Sequence, residues 1–159
     1  MKPASLASLA SLVLVAACGA SSPSPSSPSN TDAPPALPAT GPEGLRGTIT
    51  TLTGDFMPPG PSSGAAAPAP NAPVHFFAGA LKPITAIDPA APAYRGTVTT
   101  DASGRYQVAL PPGTYTVLIE SGGVPYRNCY DGDGTWCTFT VTAGQWTDAD
   151  VEDNSGATY

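Results

Sequence analysis

Ten residues, NCYDGDGTWC at positions 128–137, bring together two cysteines, two aspartates and two aromatic side chains. Three chemistries compete for such a loop: metal coordination, thiol redox exchange and a disulfide staple. A redox pair is ordinarily Cys-x-x-Cys at a helix start, whereas seven residues separate Cys129 from Cys137. A zinc site needs more Cys or His than the chain owns, since His75 is its single histidine. A closed loop of about nine residues meets disulfide geometry and, in the chain-entropy account, stabilises a fold by roughly 2–3 kcal/mol. The expected state is a disulfide between Cys129 and Cys137.

The same loop offers oxygen ligands. Asp131 and Asp133 flank Gly132 and resemble the Asp-x-Asp-Gly opening of calcium loops. No Glu follows near the twelfth loop position, so the EF-hand pattern fails; an acidic solvated turn is the simpler reading, with calcium at Asp131 and Asp133 the alternative and no other cofactor expected. Asp148, Asp150 and Glu152 alternate opposite Ala149 and Val151 and would add ligands only if their face met the loop. Tyr126, Tyr130 and Trp136 surround the acidic turn. Exposed rings beside polar groups suit sugar or peptide binding, while a Trp136 packed over the disulfide would be a structural lid. Phe56 and Met57 in GDFMPPG read as an apolar plug at one end of a sheet pair.

Catalytic readings are disfavoured. His75 sits in a strand-like PVHFF run with no Gly-x-Ser-x-Gly elbow in the chain. A glycosidase pair needs an apolar cleft around one carboxylate, and these aspartates lie among Gly and Thr. No catalytic residue is assigned, and the chain is not expected to be an enzyme.

Strands must carry these side chains. In residues 100–120, Tyr106, Val108 and Leu110, then Tyr115, Val117 and Ile119, alternate with polar or smaller residues at the period of a half-buried strand. The spacing predicts two successive antiparallel strands, entered through Asp101-Ala102-Ser103-Gly104 and joined by Pro111-Pro112-Gly113, which cannot continue a ladder. Further strands are expected at Leu45–Leu52, Val74–Phe77, Tyr94–Thr99, Thr138–Thr142 and Trp146–Val151. About seven short strands without a helix-period segment make an all-β protein, an antiparallel β-sandwich over residues 44–159. Residues 58–71 and 79–92 are Ala/Pro-rich insertions expected to be floppy loops.

The N-terminus directs the chain elsewhere. Lys2 precedes an apolar, small-residue run too short to span a bilayer, which marks residues 1–17 as a signal peptide. Val15-Ala16-Ala17-Cys18 resembles the lipobox of bacterial lipoproteins, which implies that a lipid such as palmitate modifies Cys18. Residues 18–43, rich in Ser and Pro, then form a disordered tether between a membrane and the domain. The resemblance implies a location outside the cytoplasm, at an outer membrane or cell surface. Without Lys2, five basic and twelve acidic side chains remain, a net of −7. Nucleic acid is not an expected partner of such a surface.

Gly47-Thr48-Ile49, Ala72-Pro73-Val74, residues 100–106 and the run Leu110-Pro111-Pro112-Gly113-Thr114-Tyr115-Thr116-Val117 resemble the carboxypeptidase regulatory-like domain. That resemblance, covering roughly residues 44–153, implies a transthyretin-like (prealbumin-like) sandwich, grouped with carbohydrate-binding-like folds and without a shared enzymatic activity. The expected function is a non-catalytic interaction module on a lipid anchor, with an unidentified protein or glycan partner. A carbohydrate-binding module using residues 126–137 is one alternative, and a hydrolase with an unrecognised carboxylate site another.

Overall fold

The computed structural model describes residues 37–57 and 63–159. The expected signal peptide, Cys18 and most of the expected tether lie outside the described residues.

Period-two alternation over the strand segments leaves one apolar face per strand, and two such faces bury each other. Among the described residues ten strands form: β1 (Gly44–Asp55), β2 (Ala65–Pro68), β3 (Pro73–Ala78), β4 (Tyr94–Thr99), β5 (Arg105–Ala109), β6 (Gly113–Ser121), β7 (Val124–Tyr126), β8 (Thr138–Val141), β9 (Trp146–Asp148) and β10 (Val151–Thr158). They make two five-stranded, mainly antiparallel sheets, the β-sandwich that the alternation predicts. No helix among the described residues is long and apolar enough to cross a membrane.

The first sheet is organised by β1, whose two halves have different neighbours. Residues 44–48 pair with β5, the first three of them also with β9, and the second half lies between β2 and β10; β9 and β10 run parallel to β1. The second sheet has the order β4-β3-β6-β7, with β8 also on β6. Leu45, Ile49, Tyr106, Val108 and Val151 from the first sheet meet Val74, Phe76, Tyr115, Val117, Ile119 and Val141 from the second in the main core. Gly47, paired with Tyr106, leaves room there: a Cβ on it would come within 2.4 Å of the Ala149 carbonyl oxygen, which accepts the buried Tyr106 hydroxyl.

Four expectations change. The strands on either side of Pro111-Pro112-Gly113 do not pair: β5 pairs with β1 and β6 with β3, so this turn carries the chain from one sheet to the other. Alternation reports which face is buried, not which strand is the neighbour. The expected strand at residues 146–151 divides, because the chain steps at Ala149 and Asp150 before rejoining β1 as β10. Within the 58–71 insertion, Ala65–Pro68 adds an edge strand to β1. Residues 79–92, expected to be floppy, instead fold with Ala93 over the outer face of the second sheet.

That cover makes a second core. Leu81, Ile84, Ile87, Ala91 and Ala93 pack on Phe77, Tyr94, Leu118 and Trp136. Backbone bonds pin the segment along its length, from Gly79 N to Thr114 O (2.7 Å), Ala78 N to Ala93 O (2.8 Å) and Trp136 N to Leu81 O (2.9 Å). Spaced single aliphatics among prolines give no periodic signal, which is why composition alone misreads this stretch. The folded body also begins before Gly44. Leu37 packs on the main core, and the Pro38 and Ala39 carbonyls accept bonds from Ala109 N and Gln107 Nε2.

Candidate functional site

The cysteine loop resolves first. Cys129 and Cys137 form a disulfide with Cα atoms 5.4 Å apart, reinforced by a backbone bond from Cys137 N to Cys129 O. Inside it Asp131 closes a tight turn. Its Oδ1 accepts the amides of Asp133 (2.9 Å) and Thr135 (3.0 Å), and its Oδ2 accepts the Thr135 hydroxyl. Those bonds, the Thr135 hydroxyl foremost, hold the Asp131 carboxyl below the usual carboxylate range. The acidic group is thus part of the turn's own hydrogen bonding. Among the described residues no three His, Cys, Asp or Glu side chains converge as a metal site requires, and Asp148 and Asp150 bond to β1 rather than facing this loop.

The three rings do not form a common platform. Trp136, only 2% exposed, points into the second core, where a ligand cannot stack on it. Its indole Nε1 is buried without a hydrogen-bond partner. Tyr130 lies outside, 59% exposed and stacked on Trp136 at 6.3 Å. Tyr126 is half-buried and donates its hydroxyl to Asn154 Oδ1. The loop therefore offers a single exposed ring, and Trp136 is the lid of the second core. Phe56 likewise packs, against Tyr159 at 5.8 Å, whereas Met57 is exposed and plugs nothing.

His75 is built into the sheet. It is buried on the outer face of β3, with Nδ1 3.3 Å from the Tyr94 hydroxyl on β4 and Nε2 3.1 Å from Glu120 Oε1 on β6. A carboxylate only accepts, so Nε2 carries the proton and Tyr94 donates to Nδ1. Burial holds His75 below the usual histidine range, against the upward pull of Glu120, and raises the Tyr94 hydroxyl. Arg127, also buried, stacks on Phe139 at 4.5 Å and donates to the Val117 carbonyl, with its Nε lacking a partner.

An open groove of about 500 Å³ lies on the outer face of the first sheet. Its walls follow from strand pairing. Arg46 stands opposite Gln107 on β5 and Asp148 on β9, and the next outward row sets Thr48 opposite Arg105. Arg46 Nε pairs with Asp148 Oδ1 at 2.8 Å, and Asp150 Oδ1 accepts the Thr48 amide at 2.7 Å. Asp101, at one end, accepts the amides of Arg105 (3.0 Å) and Ser103 (2.7 Å), which, with a smaller pull from the Arg105 charge, hold its carboxyl below the usual range. The Arg105 guanidinium has no hydrogen-bond partner among the described residues. Sequence reasoning singled out Asp148 and Asp150 but missed Arg46, Arg105 and Gln107. The outward positions of GLRGT and RYQ were the available signal, readable only once β1 and β5 are known to be neighbours.

The sequence matches no model of a known protein family, and no curated protein is similar to it. Among solved structures, a Pseudomonas aeruginosa protein described as "a putative carbohydrate binding protein" resembles it with a TM-score of 0.41 and 19% identity, over 74% of this chain and 92% of that one.

Proposed function

We propose that this protein is a non-catalytic binding module, exported and held at a bacterial membrane by a lipid on Cys18, which presents its β-sandwich to partners outside the cytoplasm. The observation that carries the non-catalytic part is where the reactive groups are fastened. His75 is bonded at both ring nitrogens, Asp131 is bonded at both carboxylate oxygens, and Asp148 is paired with Arg46. None of these carboxylates lies in the apolar cleft that a general acid needs. The groove on the first sheet is instead an open, polar sheet face, suited to contact rather than to excluding water from a reaction.

Two measurements test this reading. Full-length chain expressed in a bacterial host with an alkyne-bearing palmitate should take up label, and the Cys18→Ser variant should not; equal labelling of both would sink the lipid anchor. The secreted Cys18→Ser protein, incubated with polysaccharide and peptide substrates, should release no product over time. Steady product release that increases with protein concentration would overturn the non-catalytic reading.

A further inference from the structure

We infer that the groove on β1, β5 and β9 is a binding site for an uncharged, polyhydroxylated ligand, a short segment of neutral glycan. The inference rests on the binding-module reading and adds to it a site and a ligand chemistry.

The hydrogen-bond inventory selects the ligand. Arg46 uses only Nε internally, and Arg105 uses none of its guanidinium. Two sets of strong donors therefore face the groove. Asp101, Asp148 and Asp150 each engage Oδ1 within the protein and leave Oδ2 unbonded, while Gln107 donates from Nε2 and keeps its carbonyl oxygen. Strong acceptors thus alternate with the donors across neighbouring strands. A polyanion would satisfy the guanidiniums but meet three carboxylates, on a protein that is already acidic. A polycation would satisfy the carboxylates but meet two guanidiniums. A hydroxyl both donates and accepts, and neighbouring hydroxyls on one ring bridge a guanidinium and a carboxylate together.

Shape points the same way. The volume falls within the range of small-molecule sites, yet the groove is open and set on a sheet face. β1 is paired on both edges over Gly44–Arg46, so an extended peptide cannot add a strand to β1 there, and recognition on this face runs through side chains. The one aromatic wall residue, Tyr106, is buried with its hydroxyl on Ala149, so no ring stacks on the ligand. Binding then depends on hydrogen bonds from charged groups to an uncharged partner.

The test is calorimetric titration of the secreted Cys18→Ser full-length protein with neutral gluco-, manno- and galacto-oligosaccharides, a galacturonate oligomer, an oligolysine and a Ser/Gly-rich peptide. At least one neutral sugar should bind saturably, with an affinity that changes little with salt. Arg105→Ala should raise its Kd roughly tenfold or more, since a charge-assisted bond is lost. Tyr130→Ala should leave it unchanged. Because the exposed Arg105 guanidinium makes no hydrogen bond among the described residues and touches Asp101 only through a solvent-screened charge, Arg105→Ala should change the melting temperature little. Preference for the charged oligomers or the peptide, or loss of binding with Tyr130→Ala but not Arg105→Ala, would overturn the inference. So would the failure of every neutral sugar to bind. These outcomes leave the non-catalytic reading standing, because only product release in the preceding assay defeats it.

Discussion

Asp131 holds its turn as Asp101 holds its own, thirty residues earlier. In each, Oδ1 accepts the amides two and four residues on, the backbone amide of the Asp bonds the carbonyl four residues on, and a glycine three residues on takes a positive φ, 72° at Gly104 and 73° at Gly134. The motif reads Asp-x-x-Gly-x in both places, DASGR and DGDGT. The stretch that resembles the opening of a calcium loop shares its turn with residues 101–105 of the same chain, with a disulfide placed around it.

Replacing Asp131 should therefore lower stability more than replacing Asp133, whose side chain closes nothing. The folded-state carboxyl of Asp131 is depressed, so its contribution is present above the ordinary carboxylate range and is lost as pH falls through the folded value. Thermal melts of wild type and Asp131→Ala should converge as pH falls below the ordinary carboxylate range. A gap that stays constant with pH would show that the carboxylate charge is not what holds the turn.

Trp136 is expected to matter through its volume and not its indole N–H. Trp136→Ala should cost about 3–5 kcal/mol, as large core truncations do. Trp136→Phe should cost far less, since the buried Nε1 it removes has no partner to lose. Chemical denaturation of the two variants measures the difference; equal losses would mean that the N–H is bonded in solution.

Removing the disulfide with Cys129→Ser and Cys137→Ser together should destabilise by roughly 2–3 kcal/mol, the entropy of a nine-residue loop. The staple also delivers Trp136 to the second core. Its fluorescence should shift to the red in the double variant before the main core melts. A single, unshifted transition would show that residues 79–93 hold Trp136 without the staple.

His75 gives the domain a mild acid sensitivity. Its folded pKa lies below the value of about 6.5 that it regains on unfolding, so the unfolded chain binds more protons between the two. Stability should fall as pH drops below about 6.5 and level off once pH passes the folded value. His75→Gln should lack this component. Melting temperatures of both proteins from pH 7.5 to 5 check the sign, and a wild type that gains on His75→Gln toward acid would contradict it.

Two kinds of information separate in this chain. Most strand positions, though not β2, β7 or the stretch of β10 beyond Val151, together with the two Asp-Gly turns and the Cys129–Cys137 staple, were legible in the sequence, because alternation, turn chemistry and short loop closure are local. The existence of a β-sandwich followed from the same patterns. Partner choice was not legible. Pro111-Pro112-Gly113 looks alike whether it joins two strands of one sheet or crosses between sheets, and Ala65–Pro68 carries no strand signal of its own. Residues 79–93 became ordered only because Phe77, Leu118 and Trp136 offered an apolar surface to cover. The groove was the least legible of all. Arg46 lies more than a hundred residues from Asp148 and Asp150, and only the pairing of β1 with β5 and β9 sets these side chains and that of Arg105 in adjacent outward rows.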